Sequence, residues 1–174
     1  MARIRKFSAY RSIERPYTRI SKFKKKSYVK STPHRTTVKF DMGTRKKKFR
    51  YKLDLVSKAD LQIRHNAIES ARMTCNRILE AQAGKNGYFL RIKIFPHHIL
   101  RENPLAAGAG ADRFSTGMSH SFGKPISSAA RVRKNQVLFH LDINKQHLDL
   151  AKLALKRAAK KLPCSCLLKV SEAK

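Results

Sequence analysis

The first 37 residues decide where a folded body can begin. They hold no sustained helical or strand period, and Pro16 and Pro33 interrupt them. Tyr10, Tyr17, Phe23 and Tyr28 are scattered among Arg11, Arg15, Arg19 and the triplet Lys24, Lys25, Lys26. A segment of this kind cannot bury enough apolar area to offset its own ordering entropy. It is expected to form a basic extended arm, residues 1–37, that orders on a partner, which leaves residues 38–174 for a single folded domain. A disordered solubilising tail is the plainer alternative, although such tails rarely interleave aromatics with cations.

From Val38 the texture changes. Val38 and Phe40 lead into Asp41-Met42-Gly43, a short strand and turn. Phe49, Tyr51, Leu53 and Leu55 alternate with Arg50, Lys52 and Asp54, the period of a half-buried strand. Asn66 followed by Glu69 predicts a capped helix start. Beyond it Ile68, Ala71, Cys75, Ile78 and Leu79 fall on one helical stripe, with Gly84 as the stop. Leu90, Ile92 and Ile94 make another strand ended by Pro96, and Val137, Phe139, Leu141 and Ile143 repeat the pattern. Asn144 is expected to cap a second helix whose Leu148, Ala151, Leu155, Ala158 and Leu162 share a face, closed by Pro163. Cys164, Cys166, Leu168 and Val170 alternate as a last strand. Strands and two helices mix without a strict βαβ repeat, so the fold class is α+β with a mainly antiparallel sheet.

Between Ile99 and Arg131 the regular pattern lapses. Loops beyond about 12–15 residues are uncommon in compact domains and tend to serve a function. The stretch 101–128 is read as one long internal loop, rich in Gly and poor in charge for this chain. Its Phe114, Met118 and Phe122 suggest that it packs against something, either its own side chains, as an Ω-like loop does, or a larger particle.

Charge then narrows the partner. The 174 residues include 40 Lys and Arg against 11 Asp and Glu, a formal net charge of +29. Of those cations 18 lie in residues 1–50, where Glu14 and Asp41 are the sole acids. A surface this basic repels itself until a polyanion neutralises it. The cations flank several predicted elements rather than one face, with Arg45-Lys46-Lys47-Lys48 between two strands and Lys152, Lys156, Arg157, Lys160 and Lys161 along the last helix. Folded RNA, with phosphates approaching from many directions, suits that better than a duplex. No run approaches the ~18 apolar residues that cross a bilayer, so no membrane partner is expected. The stretch Met1 to Ile13 lacks the apolar core of a secretory signal, although an Arg-rich, acid-free start is also how a transit peptide reads. Three cysteines, an odd number, suit a reducing, cytoplasmic setting better than a disulfide framework.

Motifs for catalysis are tested and set aside. Gly117 to Lys124 has the wrong spacing for a phosphate-binding loop, and Pro125 stands where a hydroxyl should bind magnesium. Gly108-Ala109-Gly110 lacks the third glycine of a dinucleotide fingerprint, and Ser121 with Lys124 is a four-residue pattern that chance supplies. Cys164-x-Cys166 has no second Cys or His pair at a zinc spacing, and both thiols are read as core. His97-His98 has no carboxylate cluster beside it and is read as a hydrogen-bonding or phosphate-contacting pair. No catalytic residue, metal, cofactor or small-molecule substrate is therefore expected. An architectural DNA-binding protein and an RNA-modifying enzyme remain as rivals. The first leaves the uncharged connection unexplained, and the second lacks a convergent acid, base, thiol or metal site.

Several motifs carry a family resemblance. They are Glu14-Arg-Pro-Tyr-Thr-Arg19, Phe40-Asp-Met-Gly43, Gln62-Ile-Arg-His-Asn-Ala67 leading into Glu69-Ser-Ala-Arg72, and Pro96-His-His98 with Leu100-Arg-Glu-Asn103. Above all there are Gly110-Ala-Asp-Arg113, Thr116-Gly-Met118 and Phe122-Gly-Lys-Pro125. In this order they resemble the universal large-subunit ribosomal protein sixteen family in its archaeal and eukaryotic form, the archaeal one in particular. The resemblance implies a non-enzymatic constituent of the large ribosomal subunit. It implies large-subunit ribosomal RNA and other large-subunit proteins as partners, and a long loop directed at the peptidyl-transferase centre and transfer RNA. The expected RNA contacts are Arg3, Arg5, Arg11, Arg15, Arg19, Lys24, Lys25, Lys26 and Arg35 in the arm, with Arg45, Lys46, Lys47, Lys48, Arg101, Arg131 and Arg133 on the domain. The loop's role falls on Ala111 to Lys124, with Arg113, Met118 and Lys124 matching the family pattern and His120 at the tip.

Overall fold

A computed structural model describes residues 5–13, 23–26, 29, 32–102 and 123–172, and of Lys24 its backbone alone. Among the described residues, eight strands and two α-helices follow one another as β1 (Asp41–Gly43), β2 (Tyr51–Ser57), β3 (Leu61–Arg64), α1 (His65–Ala83), β4 (Tyr88–Ile92), β5 (His98–Glu102), β6 (Lys124–Val132), β7 (Val137–Ile143), α2 (Leu148–Ala159) and β8 (Cys166–Glu172). Five strands make one sheet in the order β1-β4-β7-β2-β8, and β3-β6-β5 make a second. Every pairing is antiparallel, as expected of an α+β domain.

The alternation in the sequence becomes the two faces of the larger sheet. Leu53 and Leu55 on β2 stand opposite Leu141 and Phe139 on β7, which in turn face Leu90 and Ile92 on β4. All are buried in one cluster with Ile68, Ala71, Cys75 and Leu79 of α1 and Ala151, Ala154, Leu155 and Ala158 of α2. Each such Leu or Phe stabilises the fold by about 1.5–3 kcal/mol relative to exposure. The helices also pack on each other, and small Ala side chains along α2 permit the close approach. Gly43 closes β1 in a left-handed conformation (φ +82°), and a Cβ there would lie 2.2 Å from the Tyr88 carbonyl oxygen. Thr44 N–H instead donates to that carbonyl at 3.0 Å.

Four local expectations are corrected. Asn66 does not cap α1: the helix starts at His65, Arg64 occupies the cap position with no side-chain cap bond, and Glu69 pairs with Arg72. The reason is that β3 feeds straight into α1, so Arg64 is still extended (φ −67°, ψ 149°). Asn144 likewise makes no side-chain cap, because a 3₁₀ turn, Lys145–His147, separates it from α2. Strand β3 itself was not anticipated. Its Leu61, Gln62 and Ile63 are all buried, so it shows no alternation. The stretch 101–128 is not loop throughout: Arg101 and Glu102 finish β5, and Lys124 to Ser128 belong to β6, with Glu102 opposite Lys124. Residues 103–122 of that loop lie outside the described residues.

Part of the arm is seated on the domain. Gln62 N–H donates to the Arg11 carbonyl at 3.0 Å, and its side-chain amide donates to the Ser12 carbonyl at 2.6 Å. These bonds cover the free edge of β3. The Tyr10 hydroxyl donates to Glu102 at 3.0 Å, Arg5 ion-pairs with the same carboxylate at 2.6 Å, and Phe7 packs on the core. At the other end, Thr37 donates to the His65 carbonyl at 3.1 Å, and Thr36 Oγ1 sits 2.9 Å from His65 Nδ1.

Candidate nucleic-acid interface

The outer face of the five-stranded sheet is polar, as its period of two requires, and there acids and bases meet in a row. Register aligns Asp41, Arg91, His140, Asp54 and Lys169 across the five strands in sheet order. Arg91 grips Asp41 through Nε at 2.7 Å and Nη2 at 2.8 Å, a bidentate pair that holds the carboxyl below its usual range. His140 lies between two carboxylates, with Nε2 at 3.0 Å from Asp142 and Nδ1 at 2.5 Å from Asp54. Asp142 first, and Asp54 after it, stabilise the imidazolium and raise its pKa against the opposing effect of burial.

The turn between β1 and β2 is the opposite case. Arg45, Lys46, Lys47 and Lys48 are all exposed, packed into the few residues between Gly43 and Phe49. Phe49 is buried (8 % exposed) and pins the turn to the body, with Lys47 Nζ 5.7 Å from its ring centroid. Lys47 also donates to the Asn86 carbonyl at 3.3 Å, and Thr44 donates to Asn86 Oδ1 at 2.9 Å, so the turn after α1 carries Lys85 alongside. A second basic edge is the end of α2 and the turn after it, where Lys156, Arg157, Lys160 and Lys161 are exposed while Ala158 between them and Leu162 after them are buried. Arg131 and Arg133 project from the end of β6, exposed beside the buried Val132. Among the described residues, none of these cations has a carboxylate to neutralise it except Arg45, near Asp41, and Lys85, 4.0 Å from Glu80.

The remaining expected contacts are placed as follows. Arg5 holds Glu102, and Arg11 borders a cleft beside β3 while its carbonyl covers the strand edge. Lys25 and Lys26 are exposed in a 3₁₀ turn, Lys24–Lys26, with the Lys26 ammonium 5.4 Å from the Phe23 ring centroid. Arg101 and Lys124 stand at the root of the hairpin formed by β5 and β6. Arg3, Arg15, Arg19, Arg113, Met118 and His120, and the Lys24 side chain, lie outside the described residues.

One feature of the interface escaped the sequence reading. Arg35 lies with its guanidinium carbon 5.1 Å from the Phe95 centroid. Phe95 stacks on Phe40 at 5.2 Å and meets His97 at 4.3 Å. This column of π surfaces and a cation, exposed at Phe95 and His97 and half-buried at Arg35 and Phe40, is the chemistry that single-stranded nucleobases recognise. Its sequence signal was Phe95 next to Pro96-His97, but its partners Arg35 and Phe40 are distant in the chain. His98, by contrast, turns inward and its ring bonds the buried Gln62 side chain.

Comparison with known proteins converges on one family. Residues 16–169 match the model of ribosomal protein L16p/L10e. The large ribosomal subunit protein uL16 of Methanococcus maripaludis (strain S2) is 43% identical over 172 residues, covering 98% of this chain and 96% of the relative. The uL16 proteins of Archaeoglobus fulgidus (44% over 154 residues, 88% and 85% covered) and Thermofilum pendens (44% over 158, 91% and 90%) are similar to it as well.

Proposed function

From the premise that this chain belongs to the ribosomal protein L16p/L10e family, we propose that it is a structural, non-enzymatic constituent of the large ribosomal subunit that holds ribosomal RNA against its basic edges. The observation that carries the reading is the partition of charge. The described acids are largely engaged on the outer sheet face, at the arm clamp and along the helices, while the 45–48 turn, the end of α2 and the end of β6 keep unneutralised cations. Cations left without carboxylates bind phosphate with release of counterions. Among the described residues no helix is long and apolar enough to cross a membrane.

Two finer roles follow. The arm, residues 1–37, lies along RNA beyond the points where Arg11, Ser12 and Thr37 tie it to the domain. The hairpin of β5 and β6 is a rigid stalk that projects the 103–122 segment, with Arg113, Met118 and His120, toward the transfer RNA and peptidyl-transferase region, and Lys124 meets phosphate at its root. Neighbouring large-subunit proteins complete the seat.

The test is binding to large-subunit particles stripped of this protein, measured against salt. With Lys46, Lys47 and Lys48 replaced by Ala, each lost phosphate contact flattens the log–log slope by roughly 0.7–0.9. An unchanged slope overturns the assignment of that turn. Deletion of residues 114–121 is expected to leave binding intact and impair translation by the reconstituted particle, whereas loss of binding and fold together would assign the loop a packing role.

A further inference from the structure

Two of the three cysteines form a pair that the RNA-binding reading does not use. The chain bends at Cys164 after Pro163, and the bend brings Cys164 Sγ to 3.6 Å from Cys166 Sγ at the start of β8. Both residues are half-buried against the core edge. Cys75 is the internal contrast: fully buried in α1, its thiol is pushed up to about 12 by burial.

The surroundings of the pair favour a thiolate. Cys164 lines an open cleft of about 590 Å³ with Lys58, Arg11, Leu61, Leu162 and Pro163. The charged side chains of that lining are both cations, Lys58 and Arg11, and no carboxylate is among them. The Lys58 backbone N–H donates to the Ser165 carbonyl at 3.1 Å, which fixes Lys58 next to the residue between the two cysteines, and its charge acts on Cys166. Either sulfur can donate to the other, and Cys166 also reaches the Cys164 carbonyl at 3.6 Å. The contact with Cys166, helped by Ser57, lowers the pKa of Cys164 against the effect of burial, and the same contact with burial raises that of Cys166. Cys164 lines the open cleft and Cys166 does not, so Cys164 is the sulfur an entering oxidant meets, with a second thiol 3.6 Å away in reserve, the arrangement of oxidant-sensitive thiols.

We propose that Cys164 and Cys166 form a hydroperoxide-reactive dithiol, with Cys164 as the attacking and Cys166 as the resolving residue. The Cys164 thiolate attacks the terminal oxygen of the hydroperoxide. The O–O bond breaks, and the departing alkoxide or hydroxide takes a proton, leaving Cys164 as a sulfenic acid. Cys166 sulfur then attacks the sulfenic sulfur, the S–O bond breaks, and water leaves with the Cys166 proton. Two thiols are oxidised to one disulfide, and one hydroperoxide is reduced to an alcohol (or water) and water. Arg11 and Lys58, the charged residues lining the cleft, stabilise the departing oxygen. A disulfide between residues two apart is geometrically strained, so cellular thiols reduce it readily and the change is reversible.

The test uses the full chain, shown folded by circular dichroism, and hydrogen peroxide as the probe. After oxidation and alkylation, trypsin releases Leu162 to Lys169, which carries both sulfurs. This peptide is expected to lose two hydrogens, resist alkylation and regain both thiols on reduction, while Cys75 stays a thiol. In Cys166→Ser a dimedone adduct accumulates on Cys164. In Cys164→Ser oxidation of Cys166 slows by about tenfold or more. Persistence of both thiols while free glutathione is consumed overturns the proposal. Oxidation of Cys166 at an unchanged rate in Cys164→Ser does so too, as does Cys75 reacting as fast as the pair. The proposal does not rest on the ribosomal reading, since the salt slope of RNA binding is expected to be the same in Cys164→Ser and in the parent chain.

Discussion

The outer face of the large sheet and the turn between β1 and β2 are both exposed and both rich in cations, yet they present opposite surfaces to a polyanion. On the sheet, Arg91 and His140 have acids in the register positions beside them, and the row from Asp41 to Lys169 nearly neutralises itself. On the turn, Lys46, Lys47 and Lys48 are exposed with no carboxylate beside them, and Lys47 meets only the Asn86 carbonyl and the Phe49 ring. Surface ion pairs of the first kind add little stability, typically about 0–1 kcal/mol. What they do is cancel local potential. A chain of +29 thereby acquires a face with little attraction for phosphate, and under the proposed function the acids of that face orient it on RNA as much as the cations of the turn do.

The comparison can be broken most forcefully at the turn. Replacing Lys46, Lys47 and Lys48 together is expected to lower affinity for stripped large-subunit particles by tens-fold or more near physiological salt, whereas Lys52→Ala with Lys169→Ala on the sheet face leaves the titration unchanged. Equal losses from both sets would erase the distinction. A second, smaller effect comes from removing the acids. Asp41→Asn with Asp54→Asn frees Arg91 and removes one of the two carboxylates on His140, and should raise binding of unrelated RNA several-fold and steepen its salt slope, read by filter binding. Next is the arm clamp. Glu102→Gln weakens the hold on Arg5 and Tyr10 and should cost about 1 kcal/mol, a few degrees in Tm by calorimetry.

The smallest effect sharpens the sheet side. His140 has a raised pKa in the folded protein, so its protonated form adds stability that is fully present below the unfolded value near 6.5. That contribution is lost as pH rises through the folded pKa. Thermal unfolding is expected at a higher Tm at pH 6 than at pH 9, with the difference reduced in His140→Gln. An identical pH profile in that variant would remove the imidazole from the charge row.

How much of this was legible beforehand depended on whether a signal was local. Alternation in 51–55 and 137–143 and the stripe from Ile68 to Leu79 marked β2, β7 and α1, because one buried face leaves a period in the chain. Strand β6 left none. Ser127, Ser128, Ala129 and Ala130 are consecutively buried and small, and in sequence they pass for loop. The caps failed because β3 and the 3₁₀ turn before α2 supply the geometry that Asn66 and Asn144 were expected to supply. The cations were readable as a class, but which of them lack acids was not. That depends on register between residues 50 and 86 apart in the chain, which brings Asp41 to Arg91 and Asp54 to His140 only in the folded sheet.

Glu102 takes Arg5 and Tyr10 from a segment synthesised about ninety residues earlier. While the chain is growing, residues 5–13 can first find Gln62 and Arg64, but their last fastening waits until the far side of β5 has been made. The beginning of the protein is therefore finished late. A newborn chain carries its most cationic stretch only half tethered, open to capture by whatever nucleic acid or chaperone reaches it before the hairpin closes.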